Sequence, residues 1–176
     1  MEQTVERTLL NHPGIKLLSG IVSLLFSMLF VTGIVLSVLE GGFNSRQYIF
    51  TYIFSSVVGI MVATMVLFIV TCISSLIIMI VNTRFNMRNL FCVIYSYYGK
   101  SLLLNSILLY VYYLGKEVNT GITVAIYLLF TLMFLVQYYL DTIKCASVQK
   151  VAARLLMGVT LVINLIVIVP RVITYI

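Results

Sequence analysis

Residues 47–83 read QYIFTYIFSSVVGIMVATMVLFIVTCISSLIIMIVNT, and this run of 37 residues contains no charged side chain. A charge-free apolar stretch of about 18 or more residues is typical of a helix that crosses the roughly 30 Å hydrocarbon core of a bilayer. The run is too short for two crossings joined by a turn and too long for one upright crossing. We therefore predict one tilted helix over residues 49–81.

One other apolar stretch precedes this run in the sequence, and three follow it. The whole sequence is 62% hydrophobic and only 9% charged, so a soluble domain of its 176 residues would lack a polar surface. We predict an all-α, polytopic integral membrane protein, with residues 1–176 forming a single transmembrane domain. The five predicted transmembrane helices cover approximately residues 17–39, 49–81, 89–114, 121–140 and 155–174.

The positive charges of the connecting segments predict the orientation. Short loops rich in Lys and Arg tend to remain cytoplasmic. Five crossings place alternate connections on opposite sides, with seven cations on one side and three on the other. The seven are Arg7, Lys16, Arg84, Arg88, Lys144, Lys150 and Arg154, and the three are Arg46, Lys116 and Arg171. This imbalance predicts a cytoplasmic N-terminus and an outside C-terminus, in a multi-pass protein of the cell (cytoplasmic) membrane.

The sequence offers little for catalysis or for cofactor and metal binding. His12 is the single histidine, and the five acidic residues lie at loops or at the ends of predicted spans. An embedded enzyme needs a constellation of nucleophile, base or metal ligands, and no such pattern is evident. We expect no enzymatic activity, no catalytic residues, no cofactor and no metal. The scattered basic residues also do not fit a nucleic-acid-binding surface.

Lys100 is the charged residue closest to the middle of a predicted span. Intramembrane ionisable residues are candidates for function by default because a buried charge is costly. In one interpretation Lys100 forms a polar cluster with Asn105 and Asn164. In the other, the span begins near Ile94 and the long Lys100 side chain reaches back to the cytoplasmic interface. Because none of the acids lies inside a predicted span, we favour the second interpretation.

Small residues recur every fourth position in the first two spans. Small side chains allow helix backbones to approach closely in lipid. We expect these two rows to lie at helix contacts, facing each other or a neighbouring helix. The first row is Ser19, Ser23 and Ser27, and the second is Ser55, Gly59 and Ala63.

Tyrosines cluster near the ends of the predicted spans, and the chain contains no Trp. Tyrosine is enriched at membrane–water interfaces, so we expect Tyr95, Tyr97 and Tyr98 to form part of an interfacial belt. The longest predicted cytoplasmic connection, residues 141–154, reads DTIKCASVQKVAAR. We expect a short polar break there, followed by a helix that restarts near Ser147.

The C-terminal part of the chain resembles a known family. Residues 128–168, LLFTLMFLVQYYLDTIKCASVQKVAARLLMGVTLVINLIVI, are similar to the last two spans of the Yip (Ypt-interacting protein) family. Ser147, Lys150 and Ala152 fall where that family has a Ser-x-x-Lys-Ala-like element. Residues 92–104, CVIYSYYGKSLLL, resemble its third span, although Lys100 stands where a proline is usual.

The resemblance implies a compact, non-catalytic membrane protein that acts through partners. Those partners would be other membrane proteins or further copies of the chain within the lipid bilayer. In bacterial members the implied role is accessory, as a scaffold beside an export or ABC-type transport complex. The alternative is a small transporter or channel subunit with a polar lining around Lys100, Asn105 and Asn164.

Overall fold

The computed structural model describes residues 12–38, 45–81, 85–114 and 120–175. Within these ranges it describes all side chains except those of residues 45–46, 112–114, 120, 123–124 and 165–175. The described residues form five helices, which confirms the prediction of an all-helical protein. They are α1 (Pro13–Val38), α2 (Ser45–Val81), α3 (Met87–Leu114), α4 (Thr120–Lys144) and α5 (Lys150–Tyr175).

Several residues that carry the sequence-based predictions lie outside the described residues. The end of the first predicted span, Leu39, is one of them, and three of the cations that predict the orientation are others. Those cations are Arg7, Arg84 and Lys116. The side chains of Arg46 and Arg171 also lie outside the described set.

Local capping interactions set where α1 and α3 begin. Pro13 occupies the first position of α1, where its missing N–H costs no hydrogen bond. The His12 Nδ1 atom accepts a hydrogen bond from the Gly14 N–H at 3.2 Å. At the start of α3 the Asn86 side-chain oxygen accepts one from the Asn89 N–H at 3.1 Å. Each side chain satisfies a backbone donor that has no partner inside its helix.

Among the described residues, three stretches of helix are long and apolar enough to cross a membrane: Pro13–Val38, Gln47–Val81 and Ala125–Lys144. Their surfaces carry many exposed apolar side chains, such as Phe50, Met65 and Ile80 on α2. The 37 residues of α2 extend over roughly 55 Å, well beyond a hydrocarbon core of about 30 Å. These features fit a membrane protein.

The α4–α5 connection is a short, buried loop. α4 continues to Lys144 and α5 begins at Lys150, close to the expected restart near Ser147, so both helices extend beyond the predicted spans, which end near residue 140 and resume near residue 155. Ala146 and Val148 of this loop are almost fully buried. The loop is anchored to the start of α3, because the Asn86 N–H donates to the Ala146 carbonyl (3.1 Å). The Asn89 side-chain amide donates to the Cys145 carbonyl (2.8 Å).

α1 and α3 cross in direct backbone contact. An ideal Cβ atom added to Gly99 would lie 2.5 Å from the Gly20 carbonyl oxygen, and one added to Gly20 would lie 2.7 Å from the Tyr95 carbonyl oxygen. Farther along, the hydroxyls of Ser27 and Ser106 are 2.6 Å apart. Because Ser106 donates to the Leu102 carbonyl, Ser27 is the donor to Ser106. The Gly20–Gly99 and Ser27–Ser106 pairs have the same separation in sequence, so α1 and α3 run parallel.

The predicted rows of small residues occupy different environments. Ser23 and Ser27 of the first row are buried, and the Ser27 hydroxyl pairs with Ser106 of α3. Ser19 is half-buried, and in the second row Ser55 is exposed. Gly59 faces the flexible Met28 side chain of α1, because a Cβ atom added to Gly59 would lie 3.0 Å from the Met28 sulfur. Ala63 packs against the cluster of Leu24, Leu67 and Tyr95.

The main apolar core lies at one end of the bundle, which we call the N-terminal end because α1 begins there. It joins the end of α2, the start of α3, the end of α4, the loop and the start of α5 around residues such as Ile78, Ile94 and Leu156. Tyr95 and Tyr97 are buried in the bundle instead of forming an interfacial belt. The Tyr97 ring lies 4.8 Å from that of Tyr138 on α4. Packing against neighbouring helices, which the sequence pattern did not reveal, accounts for this difference.

We predict that Gly99→Ala lowers the stability of the folded protein by about 1–3 kcal/mol, because its Cβ must displace the α1 backbone. Thermal unfolding in mild detergent would measure this loss. The matched control is Gly158→Ala on α5, where an added Cβ meets no atom within 4 Å. Equal melting temperatures for the two variants would contradict the close crossing.

Candidate functional site

A buried ion pair lies at the N-terminal end of the bundle. The Lys16 Nζ atom is 2.8 Å from the Asp141 Oδ2 atom, which joins the first turns of α1 to the last turns of α4. Lys16 is 8% exposed and Asp141 is 7% exposed, so water screens neither charge effectively. Removing one partner of such a pair leaves an uncompensated buried charge, which is strongly destabilising.

The positions of Lys16 and Asp141 within their helices make each charge depend more strongly on the other for stabilisation. Lys16 lies near the N-terminus of α1, where the helix dipole disfavours a cation. Asp141 lies near the C-terminus of α4, where the dipole disfavours an anion. Neither charge is stabilised by its own helix. Each therefore depends on the other for compensation.

The burial of Asp141 corrects one premise of the sequence-based prediction for Lys100. The apolar pattern places all five acidic residues outside the spans, which leaves Lys100 with no acidic residue near it. In the structure Asp141 belongs to α4 and is buried in the bundle. Lys100 lies close enough to Asp141 and Lys16 to interact electrostatically with both. The apolar stretch ends at Leu140, so the sequence pattern places Asp141 outside the span. The premise is wrong because α4 continues through Asp141 to Lys144.

Lys100 lines a pocket between α3 and α4. Ser96, Tyr97 and Lys100 face it from α3, and Gln137 and Asp141 face it from α4. The cavity between these side chains is about 10 Å³, which is room for about one water molecule. Side chains on a helix lean toward its N-terminus, so Lys100 reaches back toward the N-terminal end. The pocket therefore has room for little more than a water molecule.

The three polar residues singled out from the sequence have different hydrogen-bond partners. The Tyr127 hydroxyl donates to the Asn105 side-chain oxygen at 3.1 Å and links α4 to α3. The Asn164 amide donates to the Tyr97 hydroxyl at 2.8 Å and links α5 to α3. Lys100 lies in the pocket beside the Lys16–Asp141 pair. Lys100 and Asn105 therefore lie at the α3–α4 interface, and Asn164 links α3 to α5.

The thiols near the ion pair are buried. Burial raises the pKa of the Cys145 thiol, and the neighbouring Asp141 carboxylate acts in the same direction. A protonated, buried thiol is a poor nucleophile. In the part of the chain that the structure describes, no three His, Cys, Asp or Glu residues are grouped in a way that could hold a metal ion.

Sequence reasoning missed Lys16 and Asp141 as members of the site. From the sequence, Lys16 marks only the start of the first span, and Asp141 marks only the end of the fourth. One signal was available. Opposite charges at the same predicted side of two spans, each at the helix end that its dipole disfavours, indicate a pair.

No family model, curated protein or solved structure matches this chain.

We predict that Lys16→Gln and Asp141→Asn each destabilise the protein by about 3–5 kcal/mol, because each leaves a buried charge without its partner. The double variant should lose much less than the sum of the two single losses. Thermal or denaturant unfolding of all four proteins in one detergent would measure this coupling. Strictly additive losses would show that the two charges do not depend on each other.

Proposed function

We infer that this chain is a non-enzymatic polytopic membrane protein that acts by binding other membrane proteins. In this proposal all five helices cross a cell membrane with the N-terminus in the cytoplasm. The exposed cations at the N-terminal end support this orientation, since positive charge tends to remain cytoplasmic. Those exposed residues are Arg88, Lys144, Lys150 and Arg154.

The observation that carries the proposal is that polar side chains on the helices form hydrogen bonds with side chains of neighbouring helices. Ser27 pairs with Ser106, Tyr127 with Asn105, and Asn164 with Tyr97. Such interhelical hydrogen bonds hold membrane helices together. Asn105 and Asn164, two of the three side chains that would line the path of a transporter, are thus engaged in contacts between helices.

The outer surface of α2 supports a role in partner binding. This helix is longer than one crossing requires and carries exposed apolar side chains along its length. The exposed Ser55 offers a point where a second helix can approach closely. The resemblance to the Yip family implies the same kind of role, and we include an accessory or scaffold position beside an export or ABC-type transport complex in the proposal.

A second candidate is a small transporter or channel subunit. The pocket that contains Lys100 and Asp141 favours it, because charged residues facing a cavity within a membrane commonly mark transport pathways. Under this candidate Lys100→Gln abolishes function while the protein remains folded and inserted. Under the partner-binding proposal, substitutions on the exposed α2 surface abolish function while the protein remains folded and inserted.

The topology is testable by cysteine labelling of intact cells in a background without the three native cysteines. We expect Gln47→Cys and Gly121→Cys to react with a membrane-impermeant reagent, because the proposal places both outside. Gln149→Cys should react only after the cells are permeabilised. The opposite pattern would reverse the orientation.

Partner binding is testable by photo-crosslinking in the native membrane. We expect a crosslinker at Ser55 to give a discrete protein adduct, because a partner helix can pack closely there. The matched control is Ala125, an exposed small residue on α4. An adduct of twice the mass of the chain would indicate a homo-oligomer, and other masses would identify a different partner. Lipid adducts alone at both positions would refute the proposal.

A further inference from the structure

Four exposed cations surround the buried α4–α5 loop at the N-terminal end of the bundle. Lys144 immediately precedes the loop, and Lys150 and Arg154 lie four positions apart on the first turns of α5. Arg88 is held beside the loop, because its neighbour Asn89 donates to a loop carbonyl at 2.8 Å. The loop thus brings cations from three helices to one surface. We call Arg88, Lys144, Lys150 and Arg154 the basic loop surface.

Among the described residues, no carboxylate neutralises the basic loop surface. Asp141 is the one carboxylate in the described part of the chain, and it is buried and bonded to Lys16. None of the four cations has a described carboxylate oxygen within 4.0 Å. α5 also begins within this surface, at Lys150, where the helix dipole favours an anion. The surface therefore carries four uncompensated positive charges.

Exposed apolar side chains lie directly beside the cations of α5. Val151 and Leu155 each follow a cation, Lys150 and Arg154, by one position, and both are exposed. A cationic ridge next to an apolar ridge is typical of a helix segment at the boundary between lipid headgroups and acyl chains. This pattern favours a phospholipid over an acidic protein segment, because a headgroup meets the cations while acyl chains cover the neighbouring apolar side chains.

We propose that the basic loop surface binds the phosphate groups of anionic phospholipids in the cytoplasmic leaflet. The choice of leaflet rests on the proposed function, which places the N-terminal end in the cytoplasm. Clusters of about four to eight Lys and Arg residues at the cytoplasmic end of membrane helices bind anionic headgroups. The anchored loop holds the cations in place before the lipid arrives, so little ordering is required on binding.

The test is a titration of the purified full chain in neutral detergent with short-chain phosphatidylglycerol and, separately, with phosphatidylcholine of the same chain length. The rise in melting temperature measures each affinity. We expect phosphatidylglycerol to bind about tenfold more tightly, because each nearby cation contributes about fivefold. Lys150→Gln combined with Arg154→Gln should lower only the phosphatidylglycerol affinity, by about tenfold or more. Lys150→Arg combined with Arg154→Lys should retain it.

The matched control removes two cations from the opposite end of the bundle. It combines Arg46→Gln near the start of α2 with Arg171→Gln near the end of α5, and it should keep the wild-type preference for phosphatidylglycerol. An equal loss of affinity in this control, or equal affinity of the wild-type chain for both lipids, would overturn the proposal. If the α5 variant does not fold, Arg88→Gln combined with Lys144→Gln should give the same loss, and wild-type affinity there would contradict the proposal.

Competition experiments distinguish a lipid from other anions. Displacement of phosphatidylglycerol by inorganic phosphate indicates a free-anion site, and tighter binding of a polyglutamate peptide indicates an acidic protein segment. Either result refutes the lipid proposal. Val151→Ser combined with Leu155→Ser keeps every charge and should weaken phosphatidylglycerol binding several-fold, because acyl contact is lost. Unchanged affinity in that variant would count against a lipid.

The lipid preference and the orientation of the chain fail separately. Reaction of Gln149→Cys with an impermeant reagent in intact cells contradicts the proposed orientation. Protection of Gln149→Cys together with equal affinity for the two lipids overturns the lipid site alone.

Discussion

The Lys16–Asp141 ion pair is the interaction on which the arrangement at the N-terminal end depends. The long Lys16 side chain links α1 to α4 through this ion pair. Both charges are buried at helix ends whose dipoles oppose them. Their mutual attraction is therefore a condition for bringing these ends together.

α3 provides the frame around this pair. Its small Gly99 lets α1 approach until the backbones touch at Gly20, and this crossing fixes how far Lys16 can reach. On another face, Tyr97 packs against Tyr138, one turn from Asp141 on α4. The start of α3 also anchors the α4–α5 loop through its hydrogen bonds to the Cys145 and Ala146 carbonyls. α3 therefore contacts the α1 backbone, packs against an aromatic ring of α4 and anchors the α4–α5 loop.

This arrangement explains why Lys100 can lie deep along α3 without a carboxylate of its own. Asp141 lines the same pocket as Lys100, whose side chain leans toward the N-terminal end. The interhelical hydrogen bonds of Asn105 and Asn164 contribute to the rigidity of the same frame.

The sequence by itself determined the helical class, because long charge-free stretches have few other stable forms in an apolar environment. It also indicated the approximate helix positions, since apolar length is a local property of the chain. It did not reveal that Asp141 lies inside a helix, that Tyr97 is buried, or that Ser27 faces Ser106 on α3. Only the tertiary structure decided these features, because each depends on which helices become neighbours, and neighbours in space are far apart in sequence. The Lys16–Asp141 pair shows this directly, since two charges that mark the ends of separate apolar stretches become partners only when α1 and α4 are assembled around α3.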